Sequence, residues 1–143
     1  MTLDELLARE GIRKTLATYN NSGDWLRIDD FAGVFTEDGV LESPNFRLEG
    51  RAQIRAWLSG EGAGEDKKTR PPVKFMRHNL TTCDITLEGA DRARSRTYFF
   101  VVTDAGPDHA GVYSDEFHKV GDRWLIKHRK IRMDWYATNS VVR

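Results

Sequence analysis

The N-terminal part of the chain carries apolar residues at helical spacing. These residues are Leu3, Leu6, Leu7, Ile12, Leu16 and Tyr19. Thr2 and Glu5 have the spacing of a capping box, in which each side chain accepts a hydrogen bond from a free amide at the helix start. Residues 20–23 are Asn, Asn, Ser and Gly, which favour caps and turns over helix interiors. The pattern therefore predicts one long helix that ends at these residues.

Two shorter helices and a small hairpin follow. A second helix is predicted over residues 24–35, with an aspartate well placed to begin it, and residues 36–39 indicate a turn. Residues 40–42 and 46–48 have the pattern of the two arms of a hairpin. The third helix is predicted over residues 51–58, because its apolar residues fall on one side.

From residue 73 onward the pattern changes to strands. β-rich runs separated by turn signals cover residues 74–87, 92–103, 111–120 and 123–136. Helices first and an antiparallel meander afterwards predict an α+β fold, in which about three helices cover one face of a curved sheet. No repeat or linker divides the chain, so we expect a single domain over residues 1–143.

A polar segment separates the helical part from the strands. Residues 59–72 contain three glycines and six charged residues before two consecutive prolines. A segment of this composition cannot bury enough apolar surface to order itself, so we expect a mobile loop. Whether the loop closes over a site is left open by the sequence.

Composition excludes several classes of protein. The chain has 22 Lys and Arg against 22 Asp and Glu, so its formal net charge is zero and it lacks the basic stripe of a nucleic-acid binder. Its one cysteine, Cys83, excludes an internal disulfide and a cysteine-based zinc site. The longest apolar run, residues 99–102, is too short to cross a bilayer, and acids stand where a secretory signal carries bases. We therefore expect a cytoplasmic protein that binds neither nucleic acid nor membrane.

The chain also lacks the motifs of metal and phosphate sites. Its histidines do not have the paired spacing of a zinc site, and the glycines of residues 60–64 follow a predicted helix, not a strand. No nucleophile elbow is present. These absences favour side-chain acid–base chemistry or simple binding, with no metal and no cofactor.

Four polar residues are candidates for that chemistry. They are Tyr19, Asp24, His78 and Arg129. Each also has a structural explanation. Tyr19 fits a tyrosine of the core and Asp24 fits a helix N-cap. His78 fits a half-exposed histidine of a strand, and Arg129 fits a buried ion pair. Alternation along the last strand places Arg129 on one face with Ile131, Met133 and Trp135, where a guanidinium is either ion-paired or an anion receptor.

Asp115 is a further candidate, because it lies between Tyr113 and Phe117 on an otherwise aromatic face. A two-residue turn at residues 121–122 would pair Asp115 with His128. A slip of one residue would pair it with Arg129 instead. The sequence leaves both registers open, and a structural ion pair is at least as good an explanation as a catalytic one.

Several motifs, taken together, resemble a known family. They are Tyr19-x4-Asp24, the run Phe-Thr-Glu-Asp-Gly-Val at residues 35–40, Gly50-Arg51-x2-Ile54, the run Arg-His-Asn-Leu-Thr at residues 77–81, and Trp124-Leu125-Ile126-x2-Arg129. In this order the chain resembles the SnoaL-like branch of the nuclear-transport-factor-two-like superfamily. The resemblance implies a cone-shaped α+β barrel, in which a strongly bent sheet wraps three helices around a deep pocket.

The resemblance also implies roles for the candidates. Dehydratases and a dehydrochlorinase of this branch use an Asp–His pair, which matches Asp24 and His78, and Tyr19 and Arg129 match further pocket residues. The second pocket histidine of one dehydratase falls near Ala110, one position from His109. Expected substrate-binding residues are Phe31, Phe35, Trp57, Phe75, Phe99, Tyr113, Asp115, Phe117, Met133 and Trp135.

These expectations lead to one function and two alternatives. The first is a cofactor-independent lyase of the dehydratase or dehydrohalogenase type, acting on a small hydrophobic cyclic or polycyclic compound through the His78–Asp24 pair. An isomerase that uses the same base is the second. A non-catalytic binding or assembly module is the third, because the superfamily includes catalytically silent members. The resemblance further implies a homodimer or higher homo-oligomer through the sheet face.

Overall fold

The computed structural model describes residues 1–61 and 73–142. Its helices are α1 (Leu3–Asp24), α2 (Ile28–Gly33) and α3 (Arg51–Ser59). Its strands are β1 (Phe35–Ser43), β2 (Phe46–Glu49), β3 (Met76–Leu87), β4 (Arg92–Thr103), β5 (Gly106–Val120) and β6 (Arg123–Tyr136). The loop expected at residues 59–72 lies largely outside the described residues. None of the described helices is long and apolar enough to cross a membrane.

The six strands form one sheet in the order β2-β1-β6-β5-β4-β3. All neighbours run antiparallel except β1 and β6, which are parallel. Helix α1 packs against β3 and β6, and α3 packs against β1 and α2. The α+β class, with three N-terminal helices against a mostly antiparallel sheet, is thereby confirmed.

The core lies between the helices and the inner face of the sheet. Its members include Ile12, Leu16, Phe35, Leu41, Ile54, Phe99, Phe117 and Ile126, all of them buried. Full burial of one such side chain stabilises the fold by about 1.5–3 kcal/mol. Because these residues come from α1, α3 and four of the strands, the cluster fixes the position of α1 relative to the sheet.

Helix α1 begins as expected but ends later. The amide of Glu5 donates to Thr2 Oγ1 at 3.1 Å, and the amide of Thr2 donates to Glu5 Oε2 at 2.8 Å, so the capping box is present. The predicted end at residues 20–23 is wrong, since the helix continues to Asp24. Residues Asn20 and Ser22 are buried, and packing against the core outweighs their preference for turns.

A Schellman motif ends α1. The amide of Arg27 donates to the Ser22 carbonyl at 2.8 Å, and the amide of Leu26 donates to the Gly23 carbonyl at 3.3 Å. Leu26 takes the place that glycine usually fills and has a φ of 54°, in the left-handed region. Asp24 is thus the last residue of α1. The prediction of a second helix that starts at residue 24 is wrong, and α2 begins later and is shorter.

Two strands are longer than the sequence predicts. Strand β1 includes residues 36–39, which were expected to form a turn, and β5 begins at Gly106 instead of residue 111. Phe35 pairs with Ile126 of β6 ahead of the regular parallel pairing that starts at Val40, so β1 begins earlier than expected. A tight hairpin that pairs Gly106 with Thr103 extends β5. Such pairings depend on strands distant in the chain or on the geometry of a turn. Local residue propensity does not predict either of them.

Three bulges in β5 and β6 affect which side chains of these strands face inward. At each one the register between two strands shifts by one residue. The extra residues are Asp108 in β5 and Lys127 and Asp134 in β6. Because side chains alternate between the two faces, each bulge moves the residues beyond it to the opposite face.

The bulge at Asp134 removes Trp135 from the inner face. Trp135 pairs with Ala110 and is 49% exposed, whereas Tyr136 pairs with His109 and its ring centroid lies 6.1 Å from that of the imidazole. The expectation that Trp135 shares a face with Arg129 and lines a pocket is therefore wrong. Tyr136 takes the inward position.

Gly111→Ala should destabilise the protein strongly. A Cβ at this position would lie 2.1 Å from the Arg132 carbonyl oxygen and 2.9 Å from the Phe99 ring, so backbone and core must both shift. We expect a loss of about 1–3 kcal/mol or more in the free energy of unfolding, measured by urea denaturation. Gly33→Ala is the control, because a Cβ there meets nothing within 4 Å. Equal stabilities of the two variants would contradict the prediction.

Candidate active site

Asp24 and His78 form a pair at the junction of α1 and β3. Asp24 Oδ1 lies 2.6 Å from His78 Nδ1, and Asp24 Oδ2 accepts a hydrogen bond from the His78 amide at 2.9 Å. The two side chains are 6% and 22% exposed, respectively. Because Asp24 holds both the ring and the backbone, the imidazole is fixed in orientation. A proton on Nδ1 leaves Nε2 with a free lone pair, which is the arrangement of a general base.

A second Asp–His pair lies beside the first. His109 Nδ1 is 2.8 Å from Asp108 Oδ1, and the ring centroids of His78 and His109 are 6.3 Å apart. Both members of this pair are buried. The bulge at Asp108 produces the arrangement, because Val101 pairs with His109 and the next pair skips Asp108. His109, one position from the residue that the resemblance indicated, thus lies next to His78.

The Asp108 carboxylate also binds the C-terminal segment. It accepts hydrogen bonds from Ser140 Oγ at 2.6 Å and from the Val141 amide at 2.8 Å. Burial acts to raise the pKa of Asp108, but the hydrogen bonds from Ser140, Val141 and His109 hold this pKa below its usual value. Burial lowers the pKa of His109, although Asp108 opposes the change. His109 is therefore neutral at pH 7.

A cleft opens in front of Asp24 and His78. Its volume is about 530 Å³ and most of its exposed lining is apolar. It is lined by Tyr19, Gly23, Asp24, Trp25, Leu26, Phe31, Trp57, Leu58, Val73, Lys74, Phe75, Met76, Arg77 and His78. Of the expected pocket residues, Tyr19, Phe31, Trp57 and Phe75 therefore lie on this cleft together with the Asp–His pair.

The other expected pocket residues lie elsewhere. The side chains of Phe35, Phe99, Tyr113 and Phe117 belong to the buried core, and Met133 packs against it. Phe99 stacks on Tyr113 with ring centroids 4.3 Å apart. The interior of the cone is thus filled with aromatic side chains next to the pair, and the cleft occupies only the end formed by α1, α2, α3 and the start of β3.

Tyr19 connects the cleft to the core. Its ring lies 4.7 Å from that of Phe31 and 5.8 Å from that of Tyr113, measured between centroids. Burial raises the pKa of Tyr19, although the Arg129 guanidinium opposes the change. The hydroxyl therefore keeps its proton at neutral pH and can serve as a hydrogen-bond donor.

Arg129 lies behind Tyr19 in a buried ion pair. Its Nε and Nη2 each donate to one oxygen of Asp115 at 2.8 Å, and both side chains are fully buried. The guanidinium carbon lies 4.1 Å from the Tyr19 ring centroid and 3.9 Å from that of Tyr113, so two aromatic faces enclose the cation. Burial alone would lower the pKa of Arg129, but Asp115 holds it above the ordinary value.

The pairing of Asp115 answers the question of register. The turn at residues 121–122 has two residues, and the bulge at Lys127 then slips the strands so that Asp115 opposes Arg129. His128 instead contacts Glu42, with Nε2 and Oε2 2.9 Å apart. Arg129 and Asp115 do not line the cleft that contains His78. Their geometry favours the structural role among the two that the sequence allowed.

A family model described as a SnoaL-like domain matches residues 4–130 of the chain. The chain belongs to this family. The match extends from α1 into β6 and includes Asp24, His78 and the second pair, so the resemblance seen in the motifs is confirmed. Comparison of this SnoaL-like domain with curated proteins gives no match.

Solved structures share the fold at low identity. A candidate scytalone dehydratase from Novosphingobium aromaticivorans has a TM-score of 0.79 and 22% identity, over 99% of this chain and 95% of that one. A hexachlorocyclohexane dehydrochlorinase from Novosphingobium barchaimii has a TM-score of 0.76 and 15% identity, over 94% and 92%. The β subunit of a candidate aromatic-ring-hydroxylating dioxygenase from N. aromaticivorans has a TM-score of 0.74 and 17% identity, over 96% of both chains. These likenesses establish the fold of the SnoaL-like domain and no particular activity.

Arg129→Met should destabilise the domain by about 3–5 kcal/mol, because it leaves the buried Asp115 carboxylate without a partner. The double change Arg129→Met with Asp115→Leu should recover much of this loss. Arg132→Met is the matched control, since Arg132 pairs with Asp134 on the exposed surface. Urea denaturation measures the free energy of unfolding of all three variants. An Arg129→Met variant as stable as Arg132→Met would contradict the prediction.

His109 should titrate below its ordinary value of 6.5 in the folded domain, because burial disfavours the imidazolium. As pH falls below 6.5 the unfolded chain takes up this proton before the folded one, so the free energy of unfolding decreases. NMR titration of His109 and denaturation curves at several pH values test this. In His109→Gln this part of the pH dependence should be absent. Titration of His109 at or above the ordinary value would contradict the prediction.

Proposed function

We propose that this protein is a cofactor-independent lyase, of the dehydratase or dehydrohalogenase type, for small hydrophobic ring compounds. The observation that carries the proposal is the 2.6 Å contact between His78 Nδ1 and Asp24 Oδ1 at the wall of an apolar cleft. A histidine whose other nitrogen is bound to a buried carboxylate is suited to remove a proton from carbon. Base, orienting group and hydrogen-bond donor are all side chains, so the proposed reaction requires no cofactor.

The proposed reaction is an elimination. His78 Nε2 takes a proton from a ring carbon, which lies next to the carbonyl in a β-hydroxy ketone and next to a C–Cl carbon in a chlorinated cyclohexane. The C–H electron pair becomes the new C=C bond, and the C–O or C–Cl bond on the neighbouring carbon breaks. Asp24 stabilises the imidazolium that forms. When water is lost, the imidazolium returns its proton to the departing hydroxide on the same face, and Tyr19 can donate a hydrogen bond to that oxygen. When chloride is lost, the proton passes to solvent.

The cleft supports a ring-shaped, mainly apolar substrate. Phe31, Trp57, Leu58 and Met76 line it, and the ring centroids of Phe31 and Trp57 are 6.4 Å apart. A volume of about 530 Å³ is ample for a bicyclic compound, since ligand pockets commonly measure about 300–1,000 Å³. Two similar folds belong to a candidate scytalone dehydratase and a hexachlorocyclohexane dehydrochlorinase, and the second is named for a chlorinated ring compound.

An isomerase is the second candidate, and one observation favours it. The ring of His109 lies 6.3 Å from that of His78, and His109 has its own carboxylate partner. An isomerase must return the proton to a different carbon, which a second proton-transfer group near the base makes feasible. The Asp115 carboxylate, by contrast, is bound to Arg129 through both oxygens.

The test compares variants of two acid–histidine pairs. His78→Ala and Asp24→Asn should each lower turnover by about 10²–10⁴-fold while the protein stays folded. The control is His128→Ala, because His128 contacts Glu42 outside the cleft. Suitable probes are cyclic β-hydroxy ketones and chlorinated cyclohexanes, followed by mass spectrometry of the products.

The outcomes separate the candidate functions. Loss of water or hydrogen chloride from the probe supports the lyase, and a product of unchanged mass supports the isomerase. Turnover in His78→Ala at the rate of the His128→Ala control would rule out both. In that case a large loss of thermal stability in His78→Ala would favour a structural pair in a binding module.

A further inference from the structure

A cationic, aromatic rim surrounds the mouth of the cleft. We define this rim by Trp25, Leu26, Phe75 and Arg77, all of which line the cleft. Trp25 is 59% exposed, Leu26 66% and Phe75 41%, so three large apolar side chains meet solvent at one place. The Schellman turn after α1 presents Trp25 and Leu26, and the start of β3 presents Arg77.

The Arg77 guanidinium is held between the aromatic members of the rim. Its central carbon lies 4.6 Å from the Trp25 ring centroid and 5.8 Å from that of Phe75. Nη1 donates to the Met76 carbonyl at 2.8 Å. These contacts order the side chain before any ligand arrives, which lowers the entropy lost on binding.

Arg77 has unused binding capacity. Within residues 1–61 and 73–142 no carboxylate forms an ion pair with it, and only one of its five N–H groups has an acceptor. Among the described residues, the cleft lining includes a second cation, Lys74, and one carboxylate, Asp24, which is already bound to His78. The described part of the lining therefore carries more positive than negative charge around an apolar interior.

We infer that the substrate of this site is a ring compound with an anionic group, and that Arg77 binds this group at the mouth while the ring enters the cleft. A planar, ordered guanidinium with free donors matches a carboxylate or a similar oxyanion in two-point contact. Trp25 and Phe75 provide apolar surface beside the charge. This inference rests on the proposed function, since it assigns the substrate class of the same site, and it makes Arg77 a specificity-determining residue.

Binding of two probes of matched shape tests the inference. Naphthoic acid is anionic at neutral pH and naphthamide is its neutral counterpart, and calorimetry measures both dissociation constants. The parent protein should bind the acid more tightly than the amide. Arg77→Met should weaken binding of the acid by about ten- to a hundredfold and leave the amide unaffected, because a hydrogen-bonded charge contact is lost. Arg77→Lys should keep part of the preference.

The control variant is Arg94→Met, which removes the same charge from an exposed pair with Glu88 outside the cleft. It should retain the full preference for the acid. An equal response of the parent protein to the two probes, whether both bind or neither does, would overturn the inference. Retention of the preference in Arg77→Met, or its loss only in Lys74→Met, would also overturn the role of Arg77.

The experiment keeps this inference separate from the proposed function. Binding is therefore measured on the parent protein and on Arg77→Met, and turnover is measured separately on His78→Ala. If the parent protein binds the acid and the amide equally while His78→Ala loses turnover, the anionic substrate class is refuted and the proposed lyase is not. A clear preference for the acid, together with full turnover in His78→Ala, would refute the proposed chemistry alone.

Discussion

The arrangement of the site depends on the buried carboxylate of Asp24. An acidic side chain in the last turn of a helix faces the negative end of the helix dipole, and this one is only 6% exposed. Both unfavourable effects are offset by His78, whose ring and amide each contact one oxygen. The contact ties the end of α1 to the start of β3. The cleft wall and the turn that presents Trp25 and Leu26 follow from that junction.

Behind the cleft, a second buried charge supports the scaffold. Arg129 and Asp115 form a two-point ion pair enclosed by the rings of Tyr19 and Tyr113. Because one of these rings also lines the cleft, the pair fixes the position of Tyr19 without touching a ligand there. Buried charges of this kind contribute little net stability, but loss of one partner is costly. The Arg129–Asp115 ion pair is thus a rigid polar part of the interior next to the apolar cleft.

Two Asp–His pairs meet at the inner end of the site, and they differ in character. His78 lies on the cleft and is partly exposed, whereas His109 is buried and its carboxylate also binds Ser140 and Val141. The Asp108 carboxylate therefore both binds the C-terminal segment and orients His109. The bulge at Asp108 makes this possible, because it turns two successive residues toward the same interior.

The sequence by itself determined the element types, the strand boundaries of β4 and β6, the fold family and the main pair. Helical spacing, a capping box and local turn signals are properties of short segments, and the motif containing His78 is contiguous. The tertiary structure alone decided where α1 ends, that Asp115 opposes Arg129, that Trp135 faces outward and that His109 lies beside His78. Each of these depends on packing between distant segments or on a bulge. One residue more or less in a strand moves every side chain beyond it to the opposite face of the sheet, and the local sequence pattern does not predict that shift.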